Sequence, residues 1–367
     1  MKRIYVSVSN DVFSDNRVKK TCKSLKDYGL DVHLVCKRLV GNHKQEPLPF
    51  TLHPVRFFFK KNFPYYAELN IKFFLKILFK KTDILWANDL DTLLPLYLVS
   101  RIRRKPLIFD SHEMFTEIPE LKDNPRVKKF WKMLEKSMVP HLKYVSTVCE
   151  PIREYFKKEY GVDSIIVRNI PLYEEKNQER KTYPLKEKIL IWQGAANIDR
   201  SLEDLVLAMK DIDAKLLILG RGDIIDILKQ EVAENHLEEK VFILGRKTFQ
   251  EMMTYTRNAT LGLSLDRPTN QNYAISLPNK IFEYINATTP ILCTPLQEIK
   301  PIVEHYHIGQ TIDNPNRENL VKKINSIIND NEALQQMSDN CIKAQRELCW
   351  QNEEKNIFAL LDKILSE

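Results

Sequence analysis

The sequence predicts an α/β protein built from two doubly wound parallel sheets. Short runs rich in Ile, Val and Leu alternate with longer segments of helical period along the whole chain, the rhythm of parallel strands covered by helices. A chain of 367 residues is also too long for one comfortable core, so two domains are expected. Between the two series of runs lies a polar stretch, residues 168–188, with two prolines, which reads as an interdomain linker.

The first series places strands at 3–8, 31–36, 83–87, 106–110 and 143–148, with a helical pattern at 16–28. The second places them at 188–193, 214–219, 240–244, 259–265 and 290–294, with a helical pattern at 201–210. The expected domains are 1–170 and 171–349. Residues 350–367 form one more helical pattern carrying Ile357, Leu360, Leu361 and Ile364.

Hydrophobic residues make up 43% and charged residues 29%, a composition ordinary for a soluble globular protein. The N-terminus, MKRIYVSVSND, turns polar after eight residues and reads as a first strand, not a signal peptide. No stretch reaches the roughly 18 apolar residues that span a bilayer. Cytoplasmic residence is therefore expected, and the six cysteines, without a CxxC pair, read as reduced thiols. His305-Tyr306-His307 lacks a third ligand nearby, so no metal is expected there.

The net charge of +7 hides a split: residues 1–170 carry a balance of +13 and residues 171–367 one of −6. Such asymmetry points to a polyanionic surface met by one domain only. Residues 69–81, LNIKFFLKILFKK, mix Phe73, Phe74 and Phe79 with Lys72, Lys76, Lys80 and Lys81, and such a basic amphipathic segment suits an anionic membrane. An ordinary core-facing helix with a solvated lysine face would show the same pattern. No nucleic-acid-binding module is recognisable, so nucleic acid is not an expected partner.

Ligands of open α/β sheets bind at the carboxyl ends of the strands. After KILIW come Gln193-Gly194-Ala195-Ala196-Asn197 and then Arg200-Ser201-Leu202-Glu203, a small-residue turn before a helix, where backbone N–H groups can approach a phosphate. Gly220-Arg221-Gly222 follows another strand, but it lacks a third glycine and does not follow its domain's first strand, which disfavours a dinucleotide fingerprint. In NQNYAISLPNKIFEYINATTPILC, residues 270–293, Pro278 stands at a helix start. Asn279, Lys280 and Glu283 then fall in the first turns, where the helix end favours an anion. A cation there suits a pyrophosphate, and a carboxylate one turn on can accept the two hydroxyls of a ribose.

These residues carry a resemblance. LPNKIFEYI followed by a small-residue turn and PIL resembles the donor-site signature of the retaining glycosyltransferases of family 4, whose GT-B fold sets two Rossmann-like domains facing a cleft. WQGAANIDRSLEDLVLAM resembles that family's start of the C-terminal domain. SDNRVKKTCKSLKDYGLDVHLV resembles its first helix and second strand, and IFDSHEMFTEIP its acceptor-side loop. The four occur in the family's order across nearly the whole chain.

The resemblance implies that Glu283 binds the donor ribose, that Lys280 and the amides near Asn279, with Gly194 and Arg200, hold the diphosphate, and that Gly220 belongs to the donor site. It implies that His112 lies near the reacting carbon, with Asp110 and Glu113 supporting its loop, and that no metal or other cofactor is bound. The sequence departs from the family where Ile275 stands in place of the first glutamate of the E-x7-E element, a position that Asn272 or Tyr273 would have to cover. Ala195 also stands where many relatives have an arginine.

The expectation is a metal-independent, retaining transfer of a sugar from a nucleotide diphosphate sugar, on UDP or GDP, to a sugar or lipid-linked acceptor. Cell-surface polysaccharide or glycolipid assembly, on the inner face of the membrane, is the expected setting. The rivals are a nucleotide-sugar 2-epimerase of the same fold and a non-catalytic nucleotide-sugar-binding protein.

Overall fold

The computed structural model describes residues 1–38, 47–118, 121, 124–174 and 181–367. By its internal contacts the chain divides into one unit of Met1–Asn169 with Glu353–Glu367 and another of Ile170–Asn352. The polar stretch 168–188 does not behave as one free linker. Arg168 belongs to the first unit, Ile170, Lys181 and Tyr183 are buried, and residues 175–180 lie outside the described residues.

In the first unit, β1 (Arg3–Ser7), β2 (Asp31–Lys37), β3 (Thr51–Val55), β4 (Ile84–Asn88), β5 (Leu107–Ser111), β6 (Tyr144–Thr147) and β7 (Ile165–Ile166) form one sheet. Its order is β3-β2-β1-β4-β5-β6-β7, and every pairing is parallel. β4 and β5 are buried at every residue, as strands covered on both faces must be. The two strands without a sequence signal are the edges. β3 contains Pro54 and is half exposed, and β7 has only two residues. The C-terminal helix Trp350–Ser366 enters this unit at Glu353. There Ile357 and Leu361 are fully buried. Glu353 accepts from the Arg168 backbone N–H and guanidinium at 2.7–2.9 Å, Ser24 donates to Glu354, and Tyr28 donates to Asp362.

The second unit repeats the plan. β8 (Ile189–Ala195), β9 (Lys215–Arg221), β10 (Val241–Gly245), β11 (Leu261–Ser264), β12 (Ile291–Cys293) and β13 (Gly309–Thr311) lie in the order β10-β9-β8-β11-β12-β13, all parallel. In both sheets the strand order reverses beside the unit's first strand, between β1 and β4 and between β8 and β11. Those crevices are where doubly wound sheets bind ligands.

One helix is seated on the second sheet by a specific contact. Tyr284, in the helix Asn279–Asn286, donates to the carbonyls of Leu263 and Ile191 at 3.0 and 3.3 Å. Its ring lies where a β-carbon on Gly262 would stand, 2.6 Å from the nearest ring atom. This contact seats the helix over the crevice between β8 and β11. Among the described residues no helix is long and apolar enough to cross a membrane, and all six cysteine thiols are buried.

Candidate functional site

The carboxyl edge of the second sheet gathers most of the residues expected to meet a donor. Pro278, extended at φ −68°, ψ 137°, starts the helix Asn279–Asn286, so that Asn279 is exposed on the first turn while Lys280 turns inward. Lys280 is only 6% exposed, and its ammonium lies 4.6 Å from the centre of the Trp192 ring. Arg200 reaches the same place from the loop after β8, with its guanidinium 4.3 Å from the centre of the Tyr273 ring. Between the two cations stands Asp266, just past β11 and fully buried, 2.5 Å from Arg200 Nη1 and 3.5 Å from Lys280 Nζ.

Glu283 is placed by its neighbour across the crevice. The Gln193 side-chain amide donates to it, and the Gln193 carbonyl oxygen accepts from the Thr256 hydroxyl at 2.8 Å. Gly194 is exposed at the end of β8. Asn272 is half-buried, and Tyr273 is nearly buried under Arg200.

Gly220 has a structural reason to be glycine. Its φ is +154°, and a β-carbon there would stand 1.8 Å from the Gly194 carbonyl oxygen. The close approach of β8 and β9 demands it whether or not a ligand is near.

The carboxyl edge of the first sheet holds a different cluster. His112 follows β5 and is clamped between two carboxylates, with Nδ1 2.9 Å from Asp89 and Nε2 3.0 Å from Asp110. Its backbone N–H donates to the other Asp89 oxygen at 2.8 Å. Asp110 is fixed in turn by Arg17 through a two-pronged contact at 2.7 and 3.2 Å and by the Ser146 hydroxyl at 2.9 Å. Asp89 opens its helix at φ +58°, a backbone region that residues other than glycine seldom adopt, and such strain concentrates at functional sites. Glu113 is half-buried, its carbonyl accepting from the Ser111 hydroxyl at 3.0 Å.

The electrostatics of this cluster are decided by opposing causes. Burial lowers the His112 pKa, but Asp89 and Asp110 outweigh it and raise the group to about 10. At neutral pH His112 is an imidazolium donating from both ring nitrogens, so it holds a charge and cannot accept a proton. Asp91, buried two residues past Asp89, is pushed up to about 7, by burial first and then by Asp89. Asp110 is the reverse case: burial would raise it, yet Arg17 and His112 hold it well below the usual carboxylate range.

The sequence model described as Glycosyltransferase Family 4 matches residues 15–171, and that of Glycosyl transferases group 1 matches residues 174–344. The chain is a glycosyltransferase of the GT-B fold. A curated relative, an uncharacterized glycosyltransferase of Methanocaldococcus jannaschii, is 22% identical over 212 residues, and the match spans 57% of this chain and 58% of that protein.

Solved structures share the fold of the glycosyltransferase over its whole length. Sucrose-phosphate synthase from Thermosynechococcus elongatus superposes with a TM-score of 0.76 at 14% identity, covering all of both chains. Anabaena HepE in complex with UDP-glucose gives 0.73 at 14% identity, again over all of both chains. Staphylococcus aureus TarM, in a complex containing UDP, gives 0.73 at 12% identity over 98% of this chain and 99% of that one.

Sequence reasoning named Lys280, Glu283, Arg200 and His112, and Asp110 beside His112, but it gave no holding role to Asp89, Arg17, Gln193, Trp192 or Asp266. Asp89 and Asp266 lie just past β4 and β11, Trp192 and Gln193 lie within β8, and Arg17 lies in the first turn of the helix Asn16–Asp27. Their types carry no motif, and only the fold brings them to their partners. Among the described residues there is no group of three His, Cys, Asp or Glu that could hold a metal ion.

Proposed function

We propose that the enzyme moves a sugar from a nucleoside diphosphate sugar to a sugar or lipid-linked acceptor, with retention at the anomeric carbon, in cell-surface polysaccharide or glycolipid assembly. The observation that carries this reading is the pair of cations, Lys280 and Arg200, set around Asp266 beside the start of the helix Asn279–Asn286. A leaving diphosphate develops negative charge, and fixed cations with a helix start stabilise it without reorganising. Glu283, one turn into the same helix, is the ribose ligand in this reading. The UDP-glucose held by Anabaena HepE is a ligand of the same chemical class.

His112 as an imidazolium fits a front-side displacement, in which the departing phosphate, not an enzyme base, can take the acceptor's proton. The experiment is a thermal-shift screen of UDP, GDP and other nucleoside diphosphates, followed by turnover of sugar donors on the best base. Stabilisation by one nucleoside diphosphate and acceptor-dependent release of it support the reading. No shift with any of them overturns it, and free epimerised sugar formed without acceptor would make the enzyme an epimerase instead. Donor binding without turnover would instead mark a non-catalytic binding protein, the rival that Ile275 in place of the family's first glutamate leaves open.

The membrane is part of the same proposal, at a surface the fold moves. Of residues 69–81, Leu69, Phe73 and Ile77 are buried core and Phe74 is half-buried. The large apolar residues exposed on the helix Asn62–Leu78 are Phe63, Ile71 and Leu75, with Phe79 just beyond it. Phe58 and Phe79 are 85% and 81% exposed, and Lys60, Lys61, Lys80 and Lys81 are exposed beside them. Glu68 accepts from the Phe58 and Phe59 amides at 2.9 Å, which fixes that aromatic loop.

Exposed aromatics among lysines suit an anionic lipid surface, each lysine contributing about 1 kcal/mol near it. The protein is expected to co-sediment with anionic vesicles, poorly with neutral ones, and to be released by high salt as screening tightens. Changing Lys60, Lys61, Lys80 and Lys81 to Gln should reduce sedimentation with the fold intact. Lys72 is a poor probe, because it already bridges Glu68 and the Arg56 carbonyl. Equal partitioning onto both vesicle types, or onto neither, rules out the electrostatic attachment.

A further inference from the structure

Asp266 has two cations and no exposed surface. Its backbone is fixed by the Thr294 hydroxyl, which donates to its carbonyl at 2.7 Å. The loop carrying Arg200 is fixed to the same segment. Arg267 N–H donates to the Asp199 carbonyl at 2.8 Å, and its guanidinium donates to the Ser201 hydroxyl at 3.0 Å and to Asp204 at 2.5 Å. Asp199 and Ser201, on either side of Arg200, are both in the left-handed region, at φ 69° and 52°. Residues other than glycine seldom adopt it, so the surroundings hold Arg200 where it is.

The charge count matters. Asp266 is shared by both cations at a place where Lys280 is 94% shielded from solvent, so one carboxylate sets the position of two positive charges. Four groups face the Lys280 ammonium: Asp266 from the loop after β11, Arg200 from the loop after β8, Trp192 from β8 and Glu283 from its own helix. Burial lowers its pKa, Asp266 and Glu283 oppose that, and Arg200 adds to it. Asp266 is the largest opposing influence.

We propose that Asp266 is a positioning residue for the donor diphosphate, holding the Arg200 guanidinium and the Lys280 ammonium side by side as charged groups so that the pyrophosphate oxygens meet two pre-set cations. This rests on the reading of Lys280 and Arg200 as diphosphate ligands.

The test uses the isosteric variant Asp266→Asn in the full chain, with affinities for UDP and GDP and for uridine and guanosine measured from pH 7.5 to 9.5. The variant is expected to bind the preferred nucleoside diphosphate at least ten-fold more weakly and its nucleoside as the wild type does. Its diphosphate affinity should begin to fall at a lower pH than in the wild type, because Lys280 loses the stronger of its two counter-charges. In a Lys280→Ala background the Asp266 change should lose its pH-dependent part, since that part acts through the ammonium, and keep the part that acts through Arg200. If Asp266→Asn fails to fold, Asp266→Glu, which keeps the charge and displaces it, should show the same selective loss of diphosphate binding. Wild-type affinity and an unchanged pH profile in Asp266→Asn, with Lys280→Ala still impaired, would overturn this inference alone. Unchanged diphosphate binding in Lys280→Ala would overturn the donor-site reading and this inference with it.

Discussion

Replacing His112 by alanine is expected to abolish sugar transfer while leaving affinity for the nucleoside diphosphate nearly intact. The side chain belongs to the first unit, whereas the cations and Glu283 belong to the second. Loss of the imidazolium also leaves Asp89 and Asp110 with one cation, Arg17, in place of two. Breaking a fully buried charged pair costs about 3–5 kcal/mol of stability, and this partly exposed one costs less. A first unit that melts lower is therefore part of the expected result, and transfer must be measured below that temperature.

The same cluster makes stability depend on pH with a definite sign. His112 binds its proton up to about pH 10 in the folded state, against about 6.5 when unfolded. Its contribution is complete below pH 6.5 and is lost as pH rises toward 10, because in that window the folded state binds more protons than the unfolded one. Asp91, raised to about 7, acts in the same direction at lower pH. Arg17, Asp89, Asp110 and Glu113 complete the charged surroundings. The melting temperature should fall between pH 6.5 and 9.5, and His112→Asn should remove the fall above pH 7. Wild-type turnover in His112→Ala, or a pH profile identical in the two proteins, would dismiss His112 from the role given to it.

Glu283→Ala is expected to weaken nucleoside diphosphate binding by about 2–3 kcal/mol, the scale of hydrogen bonds from a sugar diol to a charged carboxylate. That is roughly thirty- to more than a hundred-fold in the dissociation constant. The carboxylate is oriented before any ligand arrives, by the Gln193 amide, which is itself held by Thr256. The fold should survive the change, because the helix is seated by Tyr284 and the buried Ile281, Phe282 and Ile285. Calorimetric titration of the folded variant decides the matter, since unchanged affinity would remove Glu283 from the donor site. Free phosphate or pyrophosphate, which has no ribose, should bind the variant and the wild type alike.

The buried strands were legible in the sequence because parallel strands covered on both faces are written as continuous apolar runs. The runs expected at 83–87 and 106–110 correspond to β4 and β5, shifted by one residue. The edge strands β3, β7 and β13 were not legible. Each is short or half exposed, and β3 carries a proline. The amphipathic stretch at 69–81 was legible as a helix, but its outward face was not. Periodicity gives the angle between residues, and only packing selects which stripe faces the core.

By itself the sequence determined the fold class, the repeated α/β plan and the short motif from Pro278 to Glu283, because all of these are local in the chain. The tertiary structure alone decided what those residues meet. Asp266 lies 66 positions from Arg200 and 14 from Lys280, and Asp89 lies 23 from His112. The charge states of Lys280 and His112 depend on these distant carboxylates, since a buried cation keeps its proton only where a counter-charge has been brought to it.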